Sequence, residues 1–332
     1  MGGKYFGKGV LRIPGVMILM TLFFLGSGLS VSPTWSAEKY PVKPITIVVP
    51  YNAGGTTDLD ARIWAQYLPK FIGQPVVVEN IPGAGSVKGT LEVGKSKPDG
   101  YTLGMFGYGY MMAPYILPNA HNIKDFEPVA RVMSVPYILG TSEKTGFKSL
   151  QELVDFGKKN PKKVQAGMNK GTGDHVHMVM VMKALGIEPN YVPSGSGAER
   201  ATDMAGGHLQ LSMDTMSSFR SFIDAKKVRA LGVTSSDRIG LYKEVPTFKE
   251  QGYDLVSYYY EGLFVPKGTP AEVIEVLENA IEKASKEKAL QDMFDKNLQN
   301  VAFMNSEEFK KFLAKEDLRL KDLIQEMGLM KK

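Results

Sequence analysis

The spacing of apolar residues changes along the chain and predicts short strands that alternate with helices. In the first half, β-branched runs predict strands over residues 45–49, 76–78 and 101–105. Apolar residues at helical spacing predict helices over residues 59–71 and 89–95. Strands that alternate with helices are typical of a parallel sheet with crossover helices, so an α/β fold is predicted.

The same alternation returns in the second half and predicts a second α/β lobe. The predicted elements there are helices over residues 150–159 and 175–185, and strands over residues 164–166, near Tyr191 and over residues 209–213.

Two extended β-branched runs, at residues 128–139 and 255–265, have no helical period and predict strands that cross between the lobes. After the second run, Thr269 is predicted as a helix N-cap with Pro270 at the first helical position. Ser306 is predicted to open the last helix.

An apolar leader precedes these elements. Three basic residues and no acidic one stand before an apolar run at residues 16–25, and small residues follow. This order predicts a secretory signal peptide, cleavage near Ser36 or Ala37, and a periplasmic product that begins near Glu38. The run is about half as long as the roughly 20 residues that a membrane-spanning helix needs. Retention of the leader as an anchor is the alternative.

Composition narrows the classes of partner. The net charge is +5, and loss of a leader with three basic and no acidic residues lowers it to +2. This balance gives no electrostatic case for nucleic acid or an anionic membrane surface. The absence of cysteine excludes disulfides and thiolate metal sites. After position 37, 295 residues remain (332 minus 37), so two lobes with a ligand cleft between them are expected.

A glycine-rich turn at residues 51–58 carries the first candidate chemistry. Its sequence, Tyr-Asn-Ala-Gly-Gly-Thr-Thr-Asp, leads from a predicted strand into a predicted helix. Unpaired N–H groups and the helix dipole make such a helix start favourable for a carboxylate or phosphate. A P-loop is excluded because no Gly-Lys-Ser/Thr follows at the required spacing. A tight connection that binds nothing is the alternative.

A second polar glycine loop, at residues 167–175, has the same form. One loop in each lobe predicts that an anion is held from opposite sides, with Lys170 adding positive charge. An ordinary surface turn is the alternative. His175 and His177 diverge on a helix, so they are not expected to share a metal ion. The chain also lacks His-Glu-x-x-His and Gly-x-Ser-x-Gly, the signatures of metallopeptidases and α/β-hydrolases.

Taken together, these residues resemble the substrate-binding receptors of tripartite tricarboxylate transporters, the Bug-type periplasmic receptors. The resemblance covers almost the whole chain after the leader. Its motifs lie at residues 40–45, 54–58, 82–85, 98–102, 192–193, 238, 245–247 and 266–270.

The resemblance implies an α/β, two-lobed periplasmic binding protein of type II, the Venus-flytrap fold, with two crossing strands. Residues 1–37 are then the signal peptide, residues 38–134 and 262–332 form lobe 1, and residues 135–261 form lobe 2. It implies a monomeric receptor that is not an enzyme, needs no cofactor or metal, and delivers a small organic carboxylate to an integral membrane permease. A mono-, di- or tricarboxylate is the first expectation for the ligand, and an aromatic carboxylate is the second.

By position, the resemblance also implies ligand-binding residues on both lobes. In the family, main-chain N–H and hydroxyl groups of the loop that matches residues 51–58 hold a ligand carboxylate. The implied residues are Tyr51, Ala53, Gly54, Gly55, Thr56, Asp58, Gly107 and Tyr108 in lobe 1, and Asn169, Gly171, Thr172, His175, Ser194 and Asp214 in lobe 2.

Three departures from the family pattern bear on the identity of the ligand. The Val192-Pro193 motif continues with Ser-Gly-Ser where the family has Tyr-Lys-Gly, so a phenol and an ammonium are missing. Asn169 replaces the first glycine of the second turn, and asparagine tolerates positive φ better than most residues. Glu261 stands on the return crossing where the family tends to have an aromatic ring.

Two other classes stay open from the sequence alone. One is a secreted hydrolase that acts on carboxylate esters or amides, and the other is a receptor that reports its ligand to a signalling kinase. Substrate turnover separates an enzyme from a receptor, and capture of the partner separates transport from sensing.

Overall fold

A central mixed sheet follows the predicted alternation of strands and helices. The computed structural model describes residues 39–145, 147–170, 172–240 and 242–331. The predicted signal peptide, its cleavage site and Gly171 lie outside the described residues. The described residues belong to one compact unit.

The first half of the described chain builds a parallel part of the sheet. Its elements are β1 (Ile45–Val49), α1 (Thr56–Tyr67), α2 (Pro69–Ile72), β2 (Val76–Asn80), α3 (Val87–Lys95), β3 (Thr102–Gly107) and α4 (Tyr108–Ile116). β1 pairs in parallel with β2 and with β3. The single helix predicted over residues 59–71 is two helices, because Pro69 has no N–H to continue α1 and instead opens α2.

One long strand, β4 (Phe126–Ser142), connects the two halves of the sheet. Up to Pro136 it pairs antiparallel with β9 (Tyr258–Pro266), which also pairs with β3. From Tyr137 onward it pairs with β7 (Leu211–Thr215) and β8 (Val228–Val233). β4 and β9 therefore occupy the positions predicted for the two crossing strands.

The second half repeats the alternation. Its further elements are α5 (Leu150–Lys159), β5 (Gln165–Met168), α6 (Gly173–Leu185), β6 (Asn190–Pro193), α7 (Gly197–Gly206) and α8 (Met216–Asp224). β5 pairs in parallel with β6 and β7. Local signals set the helix ends: Ser149 caps α5, Ser196 and Glu199 form a reciprocal cap on α7, and left-handed Gly186 ends α6.

The C-terminal segment returns to the first half. Its elements are α9 (Ala271–Ser285), α10 (Lys288–Lys296), β10 (Val301–Met304) and α11 (Ser306–Glu326). β10 pairs with β4, and Phe294 of α10 packs against the buried Trp64 of α1 with 6.0 Å between ring centroids. In the described part of the chain, no helix is long and apolar enough to cross a membrane.

The predicted start of α9 is wrong by one residue. Pro270 is the N-cap, and Ala271 is the first helical residue. The Thr269 hydroxyl donates to the carbonyl of Pro266 at 2.8 Å, so it turns back toward β9 instead of capping the helix.

We keep the names lobe 1 and lobe 2 for the two halves of the sheet. Lobe 1 contains β1, β2, β3 and the C-terminal helices, and lobe 2 contains β5, β6, β7 and β8. The bounds at residues 134/135 and 261/262 stay a prediction.

Candidate functional site

A cavity of about 220 Å³, which we call the cleft, lies where the crossing strands pass between the lobes. Both glycine loops reach it, through Thr56 in lobe 1 and Asp174 in lobe 2. The other lining residues are Val135, Tyr137, Asp214, Thr215, Ser217, Ser218, Tyr259, Leu298 and Gln299.

Three helices begin at the cleft. α1 starts at Thr56, α6 starts one residue before Asp174, and α8 starts one residue before Ser217. Within the described chain, none of these three starts has a side-chain hydrogen bond from its N-cap residue. First-turn N–H groups and aligned peptide dipoles thus leave three partly positive helix ends around one small cavity.

The lobe-1 turn is held in shape by its own aspartate. Gly54 has φ +83°, which favours glycine, whereas Gly55 is extended with φ −78°. The buried Asp58 carboxylate accepts the Gly54 N–H at 2.8 Å and pairs with Arg62 at 2.9 Å. Burial alone would raise the pKa of Asp58, but the bonds from Arg62 and Gly54 hold it below its usual value. Asp58 therefore serves the turn itself.

Two carboxylates and one guanidinium form the lobe-2 wall of the cleft. The Arg200 side chain is 2% exposed and lies 2.9 Å from Asp174 and 2.5 Å from Asp214. Asp214 also accepts the Thr215 N–H at 2.7 Å and the Ser218 hydroxyl at 2.8 Å. Burial raises the pKa of Asp214, and the charge of Arg200 opposes that shift. Two carboxylates against one guanidinium leave this wall net negative.

Tyr137 of β4 adds a hydroxyl to the same wall. It is 4% exposed, and its ring stacks on His177 with 4.0 Å between centroids. The His177 Nδ1 donates to the Gly173 carbonyl at 2.7 Å, and burial lowers the pKa of His177 to about 3, so the ring is neutral. In the described ranges, the Tyr137 hydroxyl has no hydrogen-bond partner.

A second acid pair, Asp60 and Glu261, is sealed beneath the lobe-1 side of the cleft. Both residues are 0% exposed. Thr57 and Tyr259 hydroxyls donate to Glu261 at 2.6 and 2.8 Å, and the Gln299 amide donates to Asp60 at 2.9 Å. Burial raises the pKa of both acids, and the charge of Glu261 adds to the shift of Asp60. At least one of the two therefore keeps a proton at neutral pH.

The structure gives the predicted lobe-1 residues different surroundings. Thr56 lines the cleft, whereas Tyr51, Ala53, Gly54 and Gly55 form the turn that leads to it.

Tyr108 is buried instead of facing the cleft. Its ring packs against His177 and Tyr260, with centroid distances of 4.7 and 5.7 Å. Gly107 instead leaves room for Tyr259, since a Cβ at residue 107 would lie 2.8 Å from the Tyr259 hydroxyl.

Of the predicted lobe-2 residues, Asp214 lines the cleft. The Thr172 hydroxyl donates to the Asn169 carbonyl at 2.6 Å and also contacts the Asp174 carboxylate. The Ser194 hydroxyl donates to Asp203 at 3.1 Å. His175 packs against a tyrosine of β6 and lines a separate groove on the other side of α6. The ligand-binding roles of all these residues stay predictions.

Several cleft residues were missed by the sequence reasoning. Thr215, Ser217 and Ser218 follow a predicted strand directly, and a polar run in that position is a recognisable helix start. No local sequence pattern marks Tyr137 or Gln299 as a cleft residue, because only the packing of distant strands and helices brings them to the cleft.

A larger cavity of about 620 Å³ lies between α4 and α11, lined by Tyr110, His121, Phe126 and Phe264 among others. Its lining includes no residue of either glycine loop. The smaller cleft is therefore the candidate site.

Comparison with known proteins identifies the family of this chain. The family model described as tripartite tricarboxylate transporter family receptor matches residues 61–329. This chain belongs to that family. It is 31% identical to BugT of Bordetella pertussis over 327 residues, which cover 96% of this chain and 99% of BugT.

Solved structures give the same family and fold. A TctC solute-binding protein from Polaromonas matches with a TM-score of 0.79 and 29% identity, over 86% of this chain and 99% of that chain. The periplasmic binding protein BugD matches with a TM-score of 0.69 and 29% identity, over 88% and 100%. The family member thus has the two-lobed periplasmic binding fold and is a solute-binding receptor, which sets the hydrolase alternative aside.

Proposed function

We propose that this receptor captures a small organic carboxylate in the cleft and delivers it to the membrane subunits of a tripartite tricarboxylate transporter. The observation that carries the proposal is the meeting of three helix starts, those of α1, α6 and α8, at one cavity. Helix N-termini bind anions through their unpaired N–H groups and their dipoles.

The size and the donors of the cleft favour a small ligand. Its volume of about 220 Å³ lies below the roughly 300–1,000 Å³ of pockets for drug-sized ligands. We assign the carboxylate to the N-terminus of α1, where Thr56 adds a hydroxyl. Two Rhodopseudomonas palustris proteins of this fold, 24% and 23% identical to this chain, have structures with malate and with adipate. At that similarity they support the fold, and the ligand class rests on the cleft itself.

The position of the cleft between two lobes supports the proposal that the receptor closes on its ligand before it delivers it to the permease. A ligand that contacts both lobes stabilises the closed state by its higher affinity for that state. The two crossing strands, β4 and β9, are the segments about which we expect the lobes to close. In this proposal the chain is exported, cleaved near Ser36 or Ala37, and acts as a monomer that docks on the permease.

A stability screen tests the carboxylate class. Ligand-free protein, prepared by unfolding and refolding, is heated with mono-, di-, tri- and aromatic carboxylates. A ligand at hundredfold excess over its dissociation constant should stabilise the native state by about 2.7 kcal/mol. No change in melting temperature across the panel would contradict the proposal.

The variant Gly55→Val tests whether the α1 start holds the anion. A Cβ at Gly55 meets only the Asn52 carbonyl at 3.5 Å, and φ is negative, so the fold should tolerate valine. The branched side chain would obstruct the approach to the N–H groups, and calorimetry should show loss of binding. Ala271→Val, at the exposed start of α9, is the matched control and should bind normally. Unchanged affinity in Gly55→Val would remove this turn from the site.

A further inference from the structure

The charges around the cleft are unusual for a site that receives an anion. Asp174 and Asp214 both line it, and within the described chain none of its lining residues is Lys or Arg. Arg200 is buried behind the two carboxylates, where it also donates to Ser212 at 3.0 Å and to the Gly195 carbonyl at 2.5 Å. One guanidinium balances one of the two negative charges, and the partial positive charges of the α6 and α8 starts offset the second only in part where these ends are solvated. The side chains of the lobe-2 wall therefore carry one excess negative charge.

From this arrangement we propose that the ligand is a small carboxylate that also carries an ammonium group, with the carboxylate at the α1 start and the ammonium against Asp174 and Asp214. This inference rests on the proposed function and names the chemical class of its ligand.

The Tyr137 hydroxyl is an independent observation that points to the same occupant. The Tyr137 residue is 4% exposed and lines the cleft, and its hydroxyl has no partner among the described residues. A Cβ at Gly173 would lie 2.9 Å from it, which sets the hydroxyl beside the residue that precedes Asp174. Burial and the charges of Asp174 and Asp214 raise the pKa of Tyr137 well above its usual value, so it stays neutral. An ammonium has three donors, and two carboxylates with a phenol oxygen offer three acceptors.

Other occupants fit this wall less well. The second carboxylate of a plain dicarboxylate would face a net negative wall in a partly desolvated site, where like charges repel strongly. A metal ion normally takes several protein ligands. Among the described residues there is no group of three or more His, Cys, Asp or Glu that could hold one.

A matched ligand series tests the proposal on the exported, refolded protein. Succinate, malate and aspartate share one skeleton and differ only in hydrogen, hydroxyl or ammonium at the second carbon. Propionate, lactate and alanine form a shorter set, and glutarate with glutamate a longer one. Calorimetry should find, in at least one set, that the amino ligand binds at least tenfold more tightly than the unsubstituted one.

The outcomes separate this inference from the proposed function. If unsubstituted acids bind as tightly as amino ones, the inference is overturned while carboxylate capture stands. If no acid in the series or in the wider carboxylate panel binds, both are overturned.

Variants then locate the ammonium. Asp214→Asn keeps an oxygen acceptor for Thr215 and Ser218 but loses the charge, so it should weaken the amino ligand at least tenfold and the unsubstituted acid less than threefold. Asp224→Asn, at the far end of α8, is the control and should change neither. Since Asp214→Asn also removes one of the two carboxylates that pair with Arg200, Tyr137→Phe provides a second variant that leaves all charges in place. An equal effect on all ligands in both variants would contradict the assignment.

Discussion

One pair of carboxyl groups lines the cleft and a second pair is buried close to it, and the two pairs differ in the groups that neutralise them. In lobe 2, Asp174 and Asp214 share the guanidinium of Arg200 and face the cavity. On the lobe-1 side, Asp60 of α1 and Glu261 of the crossing strand β9 are sealed from solvent, and their partners are two hydroxyls and an amide. We call them the lobe-1 pair. No Lys or Arg in the described ranges contributes to the pKa of either lobe-1 acid.

The difference shows that the net charge of two neighbouring carboxyl groups depends on the groups that surround them. In lobe 2, burial raises the pKa of Asp214, and the charge of the Arg200 guanidinium opposes that rise. Without a cation, the lobe-1 pair lowers its own charge by keeping a proton. At most one negative charge therefore remains on the buried lobe-1 pair, whereas the lobe-2 carboxylates line the cleft beside a single guanidinium.

The largest effect is expected when lobe 2 loses its cation. Arg200→Met would leave two half-buried carboxylates side by side with no guanidinium, as in the lobe-1 pair. Removing one partner of a buried ion pair costs about 3–5 kcal/mol. Urea unfolding monitored by circular dichroism should report a loss of that size.

Arg220→Met is the matched control for that measurement. Arg220 lies on α8 and forms an exposed ion pair with Asp224 at 3.6 Å, and such pairs contribute about 0–1 kcal/mol. Equal losses in the two variants would mean that the Arg200 network does not support lobe 2.

A smaller effect, on the pH dependence of stability, is expected from the lobe-1 pair. Its raised pKa means that the folded state keeps a proton that the unfolded state releases above about pH 4. This contribution is complete below that pH and is lost as pH rises toward the folded pKa. Between pH 5 and 9, the wild type should therefore lose at least about 1.4 kcal/mol, the equivalent of one pKa unit, relative to the double variant Asp60→Asn, Glu261→Gln.

The double variant isolates the pair, because His177 and the other titrating groups are unchanged in it. Each amide keeps an oxygen for the Thr57, Tyr259 and Gln299 donors, so the fold should persist. Substitution of the exposed Glu272 and Glu275 by Gln should leave the wild-type pH profile unchanged. If the double variant has the wild-type pH profile, the Asp60–Glu261 pair does not cause the loss of stability between pH 5 and 9.

The parts of the fold that depend on local pattern were predicted closely. The predicted bounds of β1 and α5 match the structure, because prolines flank the first and Ser149 caps the second. α4 was not predicted, since a Gly-Tyr-Gly start and an internal Pro114 disfavour a helix that tertiary packing nevertheless stabilises.

The candidate site likewise has parts that the local sequence predicted and parts that it did not. The two glycine loops predicted the helix starts that reach the cleft through Thr56 and Asp174. The lobe-1 acid pair was not predictable, although Glu261 was noted as a departure from the family. Thr57 and Glu261 are 204 positions apart, and no local pattern indicates which distant side chains will share a buried bond.

The smallest expected effect concerns how the lobe-2 pair is positioned. The Thr172 hydroxyl donates to the Asn169 carbonyl at 2.6 Å and contacts the carboxylate of Asp174, so it fixes the loop that carries one acid of the pair. Thr172→Ala removes one hydrogen bond and should weaken ligand binding by about 0.5–1.5 kcal/mol. The change should appear mainly in the dissociation rate, measured by stopped-flow fluorescence. Thr172→Ser keeps the hydroxyl and should release ligand at the wild-type rate. If serine and alanine behave alike, the hydroxyl does not position Asp174, and Arg200 and the Asn169 N–H, which donates to Asp174 at 3.3 Å, hold that carboxylate in place.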